Sequence, residues 1–300
     1  MKLAAIDIGS NAIRLLLCQV IENTETPVFK KIELVRVPIR LGEDVFTQGK
    51  ITHLKAERLI KSMKAFRQLI DVFECSGYMA CATSAMRDSE NGSDIIQRIK
   101  KEADIHIEII DGHTEAKLIY ANHVAEELSS EFNYLYIDVG GGSTELTLFG
   151  EDHIIASKSF NIGTIRLLHD KVTKENWDEM KQWIKQNCVT DKPLQAIGSG
   201  GNINKLNKMA ASRDKKSISA KKIKEISDYI AEFSYEERIS KLGLNEDRAD
   251  VIIPAAKIFL TTMKHAGIEK INVPQLGLSD GLIHVLHEKK RNEAKGIFSE

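Results

Sequence analysis

The strings LAAIDIGSNAIRLLLCQV (residues 3–20) and YLYIDVGGGSTELTLFG (residues 134–150) share one layout. In each, apolar, β-leaning residues flank a short run of small residues, and IDIG in the first is answered by IDVG in the second. Asp7 aligns with Asp138, an offset of 138 − 7 = 131 residues. Two such runs around a tight polar turn read as a β-hairpin. A single recurrence at that distance is far longer than the ~20–50-residue period of a solenoid. It predicts a chain of 300 residues built as two similar halves, a length that also suits about two domains.

Both halves continue alike. Residues 53–73, HLKAERLIKSMKAFRQLIDVF, place apolar residues at helical spacing, and YMACATSAM (78–86) reads as a buried strand running into a loop. In the second half TKENWDEMKQWIKQNC (173–188) reads as a helix with Thr173 as N-cap. LQAIGSGGNINKL (194–206) then reads as a strand, a Gly-rich loop and a helix start. Strands alternating with helices indicate an α/β fold. The expected boundary falls in EELSSEFN (126–133), giving domains 1–128 and 129–300, with the last helix packing back on the first domain. Residues 219–242 read as one helix, with Ser234 and Glu237 forming a capping box. Residues 249–267 read as a buried helix that starts near Pro254.

Other features narrow the function classes. No apolar run reaches the ~18 residues of a membrane span, and Asp7 interrupts the short apolar stretch at the start, so no signal peptide is expected and cytoplasm is the default address. Cys18, Cys75, Cys81 and Cys188 form no C-x-x-C pair or His/Cys cluster, which argues against zinc. They read as reduced thiols, three of them small core residues. A formal net charge of −1 argues against coating nucleic acid, though not against an anionic substrate. A homodimer is the default assembly.

The small-residue loops carry the chemistry. Backbone N–H groups in a Gly-rich turn can converge on an anion with no side chain in the way, and an adjoining helix start adds positive potential. Three loops qualify: Gly9-Ser10-Asn11, Gly140-Gly141-Gly142-Ser143-Thr144, and Gly198-Ser199-Gly200-Gly201-Asn202. The plainer alternative is that they are tight turns and nothing more. None matches G-x-x-x-x-G-K-[ST], so this is not a P-loop NTPase. Asp7, Asp138 and Glu145 are the candidate acids for Mg²⁺, which takes one or two carboxylates plus water and phosphate oxygens; Asp7 capping its own turn is the alternative. A basic segment from Lys205 to Lys224, with Lys208, Arg213, Lys215, Lys216, Lys221 and Lys222, reads as a solvated face or as a steering patch for a polyanion.

The strings IDIGSNAIRL, ATSAMRDSEN, IIDGHTEAKLIY, IDVGGGSTEL and AIGSGGNINKL, in this order, resemble the exopolyphosphatase / guanosine pentaphosphate phosphohydrolase family over most of the chain. The resemblance implies two ribonuclease-H-like domains of the actin-like ATPase superfamily facing each other across a cleft. It implies hydrolysis of the terminal phosphate of inorganic polyphosphate or, alternatively, of guanosine pentaphosphate, with Mg²⁺. It implies that Glu115, in GHTEAK, activates water; Thr114 stands where the family has a first Glu. Arg87 would bind phosphate, and Asp138 and Glu145 would be metal- and phosphate-site acids. Asn11, Arg14 and Ser143 are further phosphate-binding candidates. Larger members carry extra helical domains after the two core domains; none is expected within these 300 residues, which bears on polymer grip. From the residues alone, Glu115 reads first as an acid at a helix N-terminus, while Arg87, placed after a buried strand, reads first as a site residue with a surface ion pair to Asp88 or Glu90 as the alternative. An ATP-dependent kinase and an actin-like assembly module of the same superfamily are the competing functions.

Overall fold

A computed structural model describes residues 1–22, 26–120, 128–150, 153–210, 216–274 and 276–295. The chain divides into two compact units, Met1–Asn122 together with Gly277–Glu300, and His123–Leu276.

The first unit opens with β1 (Lys2–Ile8), β2 (Ile13–Ile21) and β3 (Val28–Val37), an antiparallel meander. Helices α1 (Leu41–Gln48) and α2 (His53–Val72) follow, then β4 (Tyr78–Ala82), α3 (Ser84–Arg87), α4 (Gly92–Ala103), β5 (Glu108–Ile109) and α5 (Gly112–Tyr120). The sheet order is β3-β2-β1-β4-β5, with β4 and β5 parallel to β1. Strand β1 is buried from Leu3 to Ile8 because it is central and covered on both faces. Strand β3 lies at an edge and carries exposed Lys30 and Lys31, charges that discourage pairing with another chain.

The second unit repeats the plan. Strands β6 (Asn133–Val139), β7 (Thr144–Gly150) and β8 (His153–Phe160) form the meander; α6 (Thr164–Leu168), α7 (Lys174–Asn187), β9 (Leu194–Ser199) and α8 (Gly201–Met209) follow. Then come β10 (Ser217–Ser219), α9 (Ala220–Ala231), α10 (Tyr235–Ser240), α11 (Glu246–Ala249), α12 (Ile252–His265) and β11 (Lys270–Asn272). The order β10-β11-β9-β6-β7-β8 matches the first sheet read backwards, plus one extra edge strand. Adding 131 to the bounds of β1 gives those of β6 (2 + 131 = 133, 8 + 131 = 139). Counted within its unit, the first sheet runs third-second-first-fourth-fifth; the second runs third-second-first-fourth-sixth, with its fifth strand, β10, at the edge.

Helix α13 (Leu278–Ala294) returns to the first unit. Asp280 fixes its start, accepting the Gly277 N–H at 3.0 Å and pairing with Lys31 at 2.7 Å. Farther along, buried His287 contacts Glu22 through Nε2 at 2.8 Å, and its ring meets Phe29 edge-on. At Gly281, α13 passes so close to α5 that a Cβ would lie 1.8 Å from the Leu118 carbonyl oxygen.

Several sequence expectations need correction. Residues 219–242 are two helices, not one: Ser234 has extended backbone (φ −63°, ψ 167°) and caps a new start, its Oγ accepting the Glu237 N–H. The capping box that seemed compatible with a continuous helix requires the break. YMACATSAM ends in the short helix α3 rather than a loop. Helix α12 does start near Pro254, at Ile252, and the proline occupies its first turn, where its missing N–H needs no partner. The expected boundary at 126–133 falls partly outside the described residues, as do Arg213 and Lys215 of the basic segment. Within that segment, Lys222 and Lys224 pair with Glu225 and Asp228 on an exposed face.

Near the first hairpin loop, Lys55 donates to the Arg40 carbonyl at 2.7 Å and pairs with Glu43 and Asp44. Burial pushes the Asp44 carboxyl up, but its bonds to Lys55 and Thr52 outweigh that and hold it below its ordinary range. A carboxyl depressed in the folded state adds stability above its unfolded pKa, ~3.9, and that contribution disappears as pH falls through the folded value. Denaturant titrations should therefore show stability dropping below about pH 4, with part of the drop missing in Asp44→Asn. An identical acid slope in the two proteins would remove Asp44 from this role.

Candidate active site

In open α/β sheets, ligands meet the carboxyl ends of the parallel strands. In the first unit these ends carry Asp7 on β1, Thr83 and Ser84 after β4, and Asp111 after β5. Asp7 and Cys81 are register partners, as are Cys81 and Glu108. Burial pushes the Cys81 thiol up to about 12, aided by the negative charges of Glu108, Asp7 and Glu115. Asp7 and Glu115 are therefore both within electrostatic reach of the end of β4.

Glu115 owes its position to a local cap. Asp111 Oδ1 accepts the Thr114 N–H at 2.7 Å and its carbonyl accepts the Glu115 N–H at 2.9 Å. The Thr114 bonds hold the Asp111 carboxyl below its usual range. This starts α5 and sets Glu115 in its first turn, 8% exposed. Arg87, at the end of α3, donates to the Ile110 carbonyl at 2.9 Å and approaches Asp88 at 3.5 Å. It thus ties the β4 and β5 loops together while remaining partly exposed. Arg14 lies across from Asp7 in register and binds its Oδ2 at 2.5 Å.

The two hairpin loops are built alike. In the first, Gly9 N–H meets the Ala12 carbonyl at 3.2 Å; in the second, Gly140 N–H meets the Ser143 carbonyl at 2.9 Å. The start of the helix after each meander then holds the loop from behind. The Ser10 carbonyl accepts from Gly42 N–H (2.8 Å) and the Asn11 carbonyl from Arg40 N–H (2.9 Å). In the second unit the Gly140 carbonyl accepts from Thr164 N–H (3.0 Å) and the Gly141 carbonyl from Ile165 N–H (2.8 Å). The Gly142 carbonyl accepts from the Arg166 side chain at 2.8 Å. A trans peptide points its C=O and N–H in opposite directions, and no peptide bond here is cis. The N–H groups of Gly141, Gly142 and Ser143 therefore turn away from α6. Consecutive N–H groups presented together form an anion-binding nest.

The three glycines serve a different purpose from the one their flexibility suggests. The left-handed glycines are Gly49, Gly200, Gly243 and Gly267, so Gly140, Gly141 and Gly142 use no left-handed φ. What comes close is Gly163: a Cβ there would lie 2.3 Å from the Gly141 carbonyl oxygen. Bare backbone packs on bare backbone on one side, and the amide edges face the other. Gly163, Thr164 and Arg166 were missed by sequence reasoning; the signal was the small residue and helix start after the meander's third strand.

The third loop adds to the same end of the second sheet. Asp138 is in register with both Glu145 and Ser199. Gly200, at φ 101°, brings its backbone beside Asp138 Oδ1, 3.2 Å from where a Cβ would sit. Gly201 leaves room for the Arg248 guanidinium. Gly198 has a packing role, since a Cβ would meet Ile271 at 2.8 Å. Three hydroxyls are engaged: Thr144 donates to the Ile162 carbonyl (2.5 Å), Ser199 donates to the Leu276 carbonyl (3.1 Å), and Ser10 shares a bond with Ser84 (2.9 Å). Ser143 is buried at the loop's end.

Among the described residues, no three His, Cys, Asp or Glu side chains form a metal cage. Asp138 and Glu145 nonetheless fit Mg²⁺, which needs only one or two carboxylates. Directly opposed residues on paired strands bring their side chains to one face, and Glu145 is buried with one oxygen accepting from Ser159 at 2.8 Å. Cys18 and Cys188 are likewise pushed up to about 11, chiefly by burial, and act as core side chains. No helix among the described residues is long and apolar enough to cross a membrane.

Comparison with known proteins gives a consistent picture. The model of the Ppx/GppA phosphatase family matches residues 20–290. A bifunctional 3-dehydroquinate synthase/phosphatase of Fusobacterium nucleatum is 31% identical over 97% of this chain, which spans 47% of that protein. Exopolyphosphatase 1 of Mycobacterium tuberculosis is 25% identical, over 94% of this chain and 87% of its own length. The crystal structure of the Aquifex aeolicus member of the Ppx/GppA family matches with a TM-score of 0.76 at 26% identity, covering 97% of this chain and 98% of that one. The two sheets are accordingly those of the actin-like ATPase fold.

Proposed function

Because the chain belongs to the Ppx/GppA phosphatase family, we propose that it hydrolyses a phosphoric anhydride, removing the terminal phosphate of inorganic polyphosphate. The observation that carries this reading is the Gly140–Ser143 nest, whose three N–H groups, turned away from α6, suit phosphoryl oxygens. Phosphoryl transfer relies mostly on positioning and on neutralising charge at the transferred group. The nest supplies fixed donors in the second unit, and Arg87 is the candidate phosphate-binding guanidinium of the first. Asp138 and Glu145 would hold Mg²⁺, which would contribute further neutralisation.

Glu115 is the general base. Its carboxylate takes a proton from a water molecule as the water oxygen bonds to the terminal phosphorus. The anhydride P–O bond breaks, and the shortened chain leaves with the bonding pair as a phosphate anion. No nucleotide is consumed, which separates this chemistry from a kinase. Parallel assays of phosphate release from polyphosphate and from guanosine pentaphosphate, with Mg²⁺, test the proposal. Release from polyphosphate without ADP is the expected result. Release from the nucleotide alone would reassign the substrate, and release from neither would end the reading.

A further inference from the structure

We infer that Arg166 is a positioning residue that sets the third N–H of the phosphate-binding nest through its side-chain N–H rather than its charge. This inference rests on the functional reading above. The peptides that follow Gly140 and Gly141 are oriented by backbone N–H groups of α6, those of Thr164 and Ile165. No side-chain substitution removes such bonds. The next peptide, Gly142–Ser143, is different: its carbonyl accepts from Arg166 Nε at 2.8 Å.

The first unit makes the contrast visible. Subtracting 131 maps Gly142 onto Asn11. The Asn11 carbonyl accepts from the backbone N–H of Arg40, a residue held in the left-handed region at φ 58°. Left-handed backbone is unfavourable for residues other than Gly, Asn and Asp. In the second unit the chain enters α6 through Gly163 in extended backbone (φ −131°, ψ 162°), and a side chain makes the equivalent bond. One backbone contact of the duplicated design has been exchanged for a side-chain contact, and it governs the Ser143 N–H. A peptide next to glycine turns over easily once its carbonyl is released, and turning over would withdraw that N–H from the nest.

Side-chain chemistry separates this role from direct anion binding. In glutamine, Nε2 follows Cδ at the same place in the chain as arginine Nε, so Arg166→Gln keeps an N–H donor and removes the charge. Arg166→Met keeps the length and removes both. Michaelis constants for polyphosphate should be measured for wild type and both variants. Dissociation constants for inorganic tripolyphosphate should be measured for the same set in a Glu115→Gln background. Arg166→Met is expected to weaken both by about tenfold, the loss of roughly one hydrogen bond, with kcat changed much less and the melting temperature preserved. Arg166→Gln is expected to stay within about threefold of wild type on the same scale. Equal weakening in the two variants would assign the effect to charge and overturn the inference. A Met variant matching wild type would also overturn it, provided wild type hydrolyses polyphosphate. If wild type neither hydrolyses polyphosphate nor binds tripolyphosphate, the functional reading itself fails.

Discussion

Glu115→Gln is expected to lower the turnover of polyphosphate by about 10²–10⁴-fold, the usual contribution of a general base. That corresponds to about 3–5 kcal/mol of transition-state stabilisation at ~1.4 kcal/mol per tenfold. Glutamine has the shape of glutamate and fits the first turn of α5, where Asp111 caps the helix regardless of residue 115. Melting and tripolyphosphate binding should therefore stay near wild type. The split between lost turnover and retained binding is the diagnostic: an interaction made only in the transition state changes kcat and leaves binding alone. Turnover within threefold of wild type would remove Glu115 from the role and leave it as a favourable acid at a helix start.

The second large effect is expected at Gly281, in the opening turn of α13 and remote in sequence from Glu115. Its Cα lies against the Leu118 carbonyl, and an alanine Cβ would sit 1.8 Å from that oxygen and 2.6 Å from the carbonyl carbon. A backbone carbonyl inside a helix cannot rotate aside as a side chain would. The clash must move α5 away from α13 as a unit. Overpacking of this kind costs about 3 kcal/mol at the upper end of its usual range. Because α5 also carries Glu115, Gly281→Ala should lower kcat as well as stability, whereas Ser279→Ala on the same turn should leave kcat nearly unchanged. Chemical denaturation and steady-state kinetics on the two variants check this. A Gly281→Ala protein with wild-type stability would mean that the two helices are less tightly apposed than described.

Much of the scaffold was legible because it is duplicated. Asp7 and Asp138 align at one offset, and the strands that carry them share the same bounds after that shift. The loops after β1, β6 and β9 were likewise marked by their small residues. What was not legible lay in the support behind the loops. Nothing in the spacing of NIGTIRLL shows that its backbone donates to carbonyls some twenty residues earlier, since that contact is made by chain folding rather than by local pattern. The same holds for Arg40, whose left-handed backbone is imposed by its place before α1. The run at 140–142 was legible as bare backbone open to close approach; what the sequence did not show is that Gly163 makes one such approach, from behind. Hydroxyl roles were equally hidden, because the sequence cannot tell that Thr144 donates to Ile162. Strand β3 went unread as well, since an exposed edge strand interrupted by charges such as Lys30 and Lys31 lacks the buried run that marks β1.

The central claim is that the three amides turned away from α6 grip the terminal phosphate. Amide nitrogen–proton correlation spectra of the isotope-labelled Glu115→Gln protein, recorded while tripolyphosphate is added, address it most directly. The account predicts that the Gly141, Gly142 and Ser143 amide protons move downfield together and saturate along one binding curve. Unmoved resonances at those positions in a sample that demonstrably binds tripolyphosphate would contradict it.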